Sequence, residues 1–343
     1  MVQTPVSAHL SATIDDLLGP ASGRFFGSGY RRIGQQVGEF SWDSAAGSLQ
    51  ATAGVRYPVD WSVKRTDRTL APHLSTIDAL VFAAQLSDAA LTLRHGLDAA
   101  QRRSQWLRRV EIRAGSRPDE EGLDALPAKA QLRPAAGEPL LPGHALTLVD
   151  CRIGRMGVRC TVEHPAVPVA DHAADTSGPD PLGPAEERVW GLGYQRHRQH
   201  LTEVGTDLRG PEPTATARME LSVAPGGPMD QGLEGGYRPG WSLVDSFVAA
   251  LQLGQVLLYE LDAVSRAESS TLWMRRTVLT ADVPPAGLTG PVPVGVVLAD
   301  PQLLDSRSAR WRSADIRFRG AGTEVLCSVT HRLPEPSVPA AAR

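Results

Sequence analysis

Two aspartates in the sequence each precede a glutamine by seven positions. Asp78 comes before Gln85, and Asp245 comes before Gln252. A carboxylate that takes up or releases a proton is a common general acid or base in enzymes, and a nearby amide can bind a substrate. We therefore take Asp245 and Asp78 as candidate catalytic residues, and Gln252 and Gln85 as candidate substrate-binding residues.

These residues also have simpler structural interpretations. Ser75 and Ser242 stand three positions before the two aspartates. Ser-x-x-Asp is typical of a helix N-terminus, where both side chains cap free N–H groups. An amide buried in a helix needs a hydrogen-bond partner, and the backbone of a sheet can supply one as well as a substrate can. Both interpretations stay open at this point.

His73 is the third candidate catalytic residue. It lies five positions before Asp78, in the segment that enters the helix, whereas the second copy has Gly240 at the matching place. Imidazole titrates near neutral pH and suits a general acid or base, although a loop histidine can equally be a solvated side chain. Further candidate substrate-binding residues stand just before the second helix: Tyr237, Trp241 and Ser242.

The candidates belong to a duplicated unit. Ser75–Arg109 and Ser242–Arg276 have the same length, and a shift of 167 positions aligns their Ser, Asp and Gln residues and places Trp106 on Trp273. Such a repeat predicts two copies of one structural unit. Apolar residues occupy most positions from 243 to 261, which predicts a long helix buried on most sides. The polar residues within it argue against a membrane span.

The remainder of each copy has the character of β-strands. The composition of Gln50–Val59 predicts a strand, and each copy closes with alternating segments around a glycine turn that predict a hairpin. The Pro-rich segments that precede the hairpins lack periodic apolar residues and are predicted as loops, Arg117–Pro142 being the longer. The other predicted elements are strands Trp106–Ala114 and Trp273–Ala281 and hairpins Leu148–His164 and Ser313–His331.

A glycine pair also recurs, with Gly27 and Gly29 returning as Gly191 and Gly193 at a shift of 164. The surrounding residues lack the remaining positions of a nucleotide-binding loop. The pair therefore predicts a bulge or a close backbone approach in a strand.

These elements predict an α+β chain of two tandem antiparallel sheets, each wrapped around a long central helix. This order resembles the hotdog fold, and two such units in tandem resemble the double hotdog of polyketide and fatty-acid dehydratases. The predicted boundaries are an N-terminal arm at 1–16, a first hotdog at 17–164, a linker at 165–187, a second hotdog at 188–333 and a disordered tail at 334–343.

Composition narrows the function classes. A formal net charge of −3 gives no electrostatic reason to expect nucleic acid as a partner. Cys151, Cys160 and Cys327 are spaced for neither a metal cage nor a disulfide framework. The first residues lack the basic start and apolar core of a secretory signal. We expect a cytoplasmic protein that acts without a metal, a tightly held cofactor or a membrane.

Three strings carry a resemblance to a known family. Ile14–Arg32, Asp245–Tyr259 and Leu272–Arg276 look like the AvrD family, whose members are similar to hotdog enzymes of butyrolactone signal biosynthesis. The resemblance implies an enzyme of specialised metabolism that joins a β-ketoacyl group to a small hydroxyketone or sugar and gives a butenolide or lactone-type precursor. The acyl group would come from an acyl carrier protein or coenzyme A, and a polyol or ketose would accept it.

Two other functions stay open. The same fold can serve a dehydratase, isomerase or thioesterase on such substrates, or a non-catalytic module that binds an acyl chain or a signal molecule. Duplication already joins two units in one chain, so a monomer is expected as readily as a homodimer.

Overall fold

The computed structural model describes residues 10–61, 71–170, 176–177, 180–285, 287, 290–306 and 309–334. The helices in this part of the chain are α1 (Ile14–Leu18), α2 (Thr76–His95), α3 (Ala99–Arg103) and α4 (Leu243–Leu261). The strands are β1 (Leu10–Thr13), β2 (Gly34–Asp43), β3 (Ser48–Arg56), β4 (Trp106–Arg113), β5 (Leu126–Pro134), β6 (His144–Ile153), β7 (Met156–Pro165), β8 (Thr176–Ser177), β9 (His197–Asp207), β10 (Thr214–Val223), β11 (Trp273–Ala281), β12 (Val292–Ser306), β13 (Ala309–Gly320) and β14 (Thr323–Arg332).

The two long helices are buried, as their sequences predict. α2 contacts each of the strands β2 to β7, and α4 contacts each of β9 to β14. Ser75 and Ser242 cap the two helices, and Gly96 ends α2 in a left-handed conformation that favours glycine. Within the described residues, Thr76–His95 is the one helix with the length and hydropathy to span a membrane, and most of it lies in the core.

The strands form a single antiparallel sheet rather than the two separate sheets that we expected. Its order is β1-β9-β10-β12-β13-β14-β11-β4-β7-β6-β5-β3-β2-β8. The two halves have the same strand order and meet where β4 pairs with β11, with Val110 opposite Leu279. The sheets join because β4 and β11 are equivalent edge strands, and an unpaired strand edge binds another readily.

The Pro-rich segments are not simple loops, and this prediction was wrong. Arg117–Pro142 contains β5, which pairs with both β3 and β6, and the matching part of the second half contains β12. In β5 the inward positions are Leu126, Ala128 and Ala130, all of them buried. Two of the three are alanines, so the inward face of β5 gives a weak alternating hydrophobic signal.

Each half also receives a strand from the segment that precedes the other half. β1 pairs with β9 of the second half, and β8 pairs with β2 of the first. The predicted arm at 1–16 therefore includes a paired strand, and residues 1–9 of it lie outside the described residues. The predicted linker at 165–187 includes β8, while the tail at 334–343 lies outside the described residues except for Pro334.

The glycine pair marks a close backbone approach, but in a turn and not in a strand. A Cβ atom on Gly27 would lie 2.4 Å from the carbonyl oxygen of Ala21, and one on Gly191 would lie 2.1 Å from that of Ala185. Ala185 belongs to the segment that we predicted as linker. The structural repeat therefore begins inside that segment.

Candidate active site

Asp78 is the buried cap of α2. Its carboxylate accepts hydrogen bonds from the Ser75 backbone N–H (2.9 Å) and hydroxyl (2.6 Å), from the Gln35 amide (2.5 Å) and from the Tyr57 hydroxyl. Gln35 in turn accepts a hydrogen bond from Tyr194 of the other half, at 2.6 Å. Asp78 itself is fully buried. The capping interpretation therefore holds for Asp78.

Asp245 has the equivalent place at the start of α4. It accepts hydrogen bonds from the Ser242 N–H (2.7 Å) and hydroxyl (2.6 Å) and from the Gln199 amide (2.5 Å). Gln199 accepts from Tyr30 of the other half, at 3.0 Å. The fourth partner differs from that of Asp78, because His197 Nδ1 lies 2.8 Å from the Asp245 carboxylate. Asp245 is 1% exposed and also serves as a helix cap.

The pKa values of the two carboxyl groups shift in opposite directions, because their fourth hydrogen-bond partners differ. Burial raises the pKa of Asp78 more than its hydrogen bonds to Ser75, Tyr57 and Gln35 lower it. Burial also acts to raise the pKa of Asp245, but the charge and hydrogen bond of His197, together with the hydrogen bonds from Ser242, outweigh it, so this pKa lies below its ordinary value. The duplicated caps therefore differ in their preference for the ionised form.

A cavity with a volume of about 390 Å³ lies at the N-terminal end of α2 and is the main cavity of the candidate site. A larger space of about 790 Å³ lies across strands β10 to β14 and is bordered by none of the candidate residues. Neither Asp78 nor Asp245 lines the main cavity. His73 and Ser75 border it from the start of α2, and Gln255 and Tyr259 border it from α4. The apolar part of its wall is formed by Phe25, Phe26, Trp61, Leu74, Met156, Leu272, Trp273 and Met274.

His73 is the one predicted catalytic residue that lines this cavity. Its ring lies between two indoles, with centroids 5.8 Å from Trp61 and 5.8 Å from Trp273. Its Nδ1 is 3.2 Å from the carbonyl oxygen of Ala71, which favours the tautomer with the proton on Nδ1 and the lone pair on Nε2. The His73 carbonyl oxygen lies 2.6 Å from the Tyr57 hydroxyl, which shares its one proton between this oxygen and the Asp78 carboxyl group.

The repeated glutamines bind arginines. Gln85 accepts a hydrogen bond from Arg188 at 2.9 Å, and Gln252 accepts one from Arg24 at 2.6 Å. Arg188 lies at the start of the second half and binds Gln85 in α2 of the first half. Arg24 lies at the start of the first half and binds Gln252 in α4 of the second half. Neither glutamine lines the cavity, and each bonds a side chain and not the sheet backbone that we expected.

The candidates near α4 have structural contacts. The Tyr237 hydroxyl donates to the Ser104 carbonyl oxygen (2.9 Å), and Ser242 is the helix cap. Trp241 is 5% exposed and borders a void of only about 10 Å³, together with the buried Glu234. The start of α4 is therefore closed, whereas the equivalent end of α2 borders the main cavity.

His197 and Arg24 are two of the residues in these clusters that sequence reasoning missed. His197 is 1% exposed and has Ile33 at the matching position of the first half, so the repeat itself gave no signal for it. Arg24 does recur as Arg188, at the same shift of 164 as the glycine pair, and this repeat was visible in the sequence.

Metal ligands do not cluster in the described part of the chain, where no group of three or more His, Cys, Asp or Glu side chains is placed to hold an ion. The cysteines there are free and buried. Burial raises the pKa of the Cys327 thiol to about 12, so it is not a thiolate at neutral pH.

Sequence comparison decides the family. The AvrD family, described as Pseudomonas avirulence D protein, matches residues 9–334, nearly the whole chain. The chain belongs to the AvrD family. No curated protein matched the sequence.

This AvrD family chain also has distant likenesses among solved structures. A tesB protein of Mycobacterium avium subs paratuberculosis shares 10% identity at a TM-score of 0.38, over 89% of this chain and 97% of that one. A hot dog fold protein from Alicyclobacillus acidocaldarius shares 9% at 0.35, over 87% and 96%. The dehydratase domain of the CurJ module of curacin polyketide synthase shares 12% at 0.34, over 87% and 97%. At such scores these likenesses assign no activity to the chain.

Proposed function

We propose that this AvrD family chain is a double-hotdog enzyme that transfers a β-ketoacyl group from a thioester to a hydroxyl group of a small hydroxyketone or sugar. The observation that carries the proposal is the cavity, which joins an apolar wall, a helix N-terminus and a histidine in one place. Two helices, each wrapped by six strands in the same order, support the double-hotdog description.

The start of α2 suits the thioester carbonyl. The first N–H groups of a helix have no partner within the helix, and the helix dipole places partial positive charge there. Ser75 and Thr76 bring this end of the 20-residue helix to the cavity. A carbonyl oxygen bound here would gain stabilisation as it takes up negative charge during attack.

His73 suits the role of general base. In the proposed step, Nε2 of His73 takes the proton from the acceptor hydroxyl, and the hydroxyl oxygen forms a bond to the thioester carbon. The C–S bond then breaks, and the leaving thiolate receives the proton from His73. Bonds and electrons balance without a redox cofactor, and the carrier leaves as free coenzyme A or carrier protein thiol.

Asp78 is proposed as a positioning residue. Tyr57 contacts both the Asp78 carboxyl group and the His73 carbonyl oxygen, so Asp78 helps to fix the segment that carries the imidazole. Asp245 lies away from the cavity and receives no role in this reaction. The acyl tail would lie along Phe25, Phe26 and Met274, on the apolar wall.

The test is mass spectrometry of reactions that contain a β-ketoacyl thioester and a panel of small ketoses. We expect an O-acylated ketose or its lactone-type product. His73→Gln should lower the rate by about 10²- to 10⁴-fold. His200→Gln, at an exposed histidine on β9, is the matched control and should leave the rate unchanged.

Other outcomes identify the alternatives. Water loss from a β-hydroxyacyl thioester without any acceptor would replace the transferase with a dehydratase, and release of the free acid would replace it with a thioesterase. Binding of the thioester with no product would favour the non-catalytic module. Full activity in His73→Gln would remove this residue from the mechanism.

A further inference from the structure

The sheet carries one continuous row of side chains that crosses from the second half into the first. Strand pairing places Val297 opposite Arg317 and Arg317 opposite Leu326. Leu326 in turn lies opposite Val278, and Val278 lies opposite Glu111 of the first half. Residues that are directly opposite in an antiparallel sheet share a face, so these side chains are neighbours in what we call the outer row.

The outer row faces away from the two long helices. The residues next to it along the strands, among them Val296, Phe318 and Leu279, are buried in the core. Side chains alternate between the two faces of a strand, so the row itself faces outwards.

In the first half the outer row is a ladder of charged and polar groups. Glu111 lies opposite Arg159, and Arg159 lies opposite Asp150. Asp150 lies opposite Gln131, which is the last member of the row. Arg159 binds Asp150 at 2.7 Å, and Glu111 binds Arg276 at 3.1 Å. Such pairs of opposite charge are ordinary on an exposed sheet face.

In the second half the equivalent positions of the row are apolar. In place of the glutamate, the arginine and the glutamine they hold Val278, Leu326 and Val297. Arg317 is the charged member of this part of the row, and its ion-pair partner Asp300 is 3.7 Å away. Both halves have the same strand order, so the fold alone does not explain why one outer face is apolar and the other is charged.

These side chains line the space of about 790 Å³ across β10 to β14, which we call the outer groove. Within the described residues, its charged border consists of four arginines and one glutamate, the last two of which form an ion pair: Arg109, Arg276, Arg317, Arg319 and Glu324. Arg109 and Arg276 share the Glu111 carboxylate with Arg113. One carboxylate among three guanidinium groups leaves positive charge in excess beside the apolar floor.

An apolar floor with a basic border is typical of a surface that binds another protein. A second copy of this chain does not fit, because a two-fold contact would place the arginines against the same arginines. The groove also adjoins the candidate site, since the consecutive residues Arg275 and Arg276 line the main cavity and the outer groove respectively.

We propose that the outer groove is the docking surface for the carrier protein of the thioester donor, and that this carrier presents an apolar ridge flanked by carboxylates. The identity of the partner rests on the proposed function. Docking here places the carrier beside the cavity in which the thioester would react. It also makes a carrier-protein thioester, and not a coenzyme A thioester, the preferred donor.

Isothermal titration calorimetry with a purified acidic acyl carrier protein in its holo form tests the surface without turnover. The wild-type chain should bind the carrier, and added sodium chloride should weaken the binding because the contact is partly electrostatic. Arg317→Glu should raise the dissociation constant about tenfold or more, since it reverses the charge within the apolar part of the row.

Val297→Glu is the decisive variant. Its carboxylate would pair with Arg317 on the neighbouring strand and repel the carboxylates of the carrier, so binding should weaken about tenfold or more. The matched control is Gln131→Glu, which adds the same charge at the equivalent position of the row in the first half and should bind as the wild type does. Melting temperatures of both variants check that they are folded.

Turnover gives a second measurement. The ratio of the rate with the carrier-protein thioester to the rate with the coenzyme A thioester should fall about tenfold or more in Val297→Glu and stay unchanged in Gln131→Glu. A ratio that changes equally in the two variants would contradict docking in the groove.

The docking surface would be overturned by absence of carrier binding, by binding that salt does not weaken, or by equal affinities of Val297→Glu and Gln131→Glu. Self-association of the wild-type chain in analytical ultracentrifugation, if Val297→Glu removed it, would assign the groove to a second copy instead. Carrier binding without product from any thioester would retain the surface and lose the proposed function. Product from thioesters with no carrier binding would do the reverse.

Discussion

The two helix caps provide a matched pair for measuring what His197 contributes. Asp245→Asn replaces an acceptor-only carboxylate by an amide, so one NH₂ group must face a hydrogen-bond donor, and the charged contact with His197 at 2.8 Å is lost. A hydrogen bond to a charged group contributes about 1.5–3 kcal/mol. We therefore expect Asp245→Asn to lower the free energy of unfolding by about 3 kcal/mol at pH 7.

Asp78→Asn should cost less, about 1 kcal/mol, because burial already disfavours the ionised form of this carboxyl group. Asp78→Asn also turns an NH₂ group toward a donor, either the Gln35 amide or the Ser75 N–H, so this loss is common to both variants and the contact with His197 is the difference between them. The gap of about 2 kcal/mol between two equivalent caps is the quantity to measure, by urea unfolding of both variants with the m-value checked.

The pH dependence has opposite signs at the two positions. The folded-state pKa of Asp245 is lowered, so its contribution is present above the unfolded value of about 3.8 and is lost as the pH falls through the folded value. The folded-state pKa of Asp78 is raised, so its contribution is complete below about 3.8 and declines as the pH rises through the folded value. The stability of Asp78→Asn relative to wild type should therefore improve as the pH rises above about 4. Equal costs at both positions, or a larger cost for Asp78→Asn, would refute this account.

Two further predictions concern the turns and leading strands. Gly27→Ala should lower the free energy of unfolding by about 2 kcal/mol or more, since its Cβ would meet a backbone oxygen at 2.4 Å, and denaturant titration against Gly23→Ala, which has open space, checks it. Deletion of residues 1–13 removes β1, and hydrogen exchange should then show faster exchange in β9 of the second half while β2 of the first half keeps its protection. Equal loss of protection in β2 and β9 would contradict the pairing.

Much of the fold could be predicted from local sequence. The Ser-x-x-Asp starts and apolar runs predicted α2 and α4, and the alternating segments around glycine predicted the hairpins that became β6–β7 and β13–β14. Strand β5 was missed because pairing on both sides holds it and its own hydrophobic signal is weak. Strand β12 was missed although Val294 and Val296 alternate in it, because Pro291 and Pro293 were interpreted as marks of a loop. The pairing of β4 with β11 has no local signal, since it depends on which edges meet.

Some residues of the candidate site could be predicted from the sequence, but their arrangement in space could not. Sequence spacing drew attention to Asp78 and Asp245, but a capping aspartate and a catalytic one have the same spacing from the helix start, and only burial separates them. His73 was found because it breaks the repeat.

The strands that precede each half have a consequence for how the protein could have arisen. In a single half, separated from its neighbour, the end strand of the sheet would have a row of unpaired N–H and C=O groups. The strand that precedes that half, β1 or β8, would have no sheet to pair with. In a pair of identical copies, the strand that precedes each copy can pair with the sheet of the other, as in a domain-swapped dimer. A gene fusion of that dimer would change the connectivity and keep these strand pairings. The smallest stable unit is then the pair of halves, and we expect one half expressed alone to associate with a second copy.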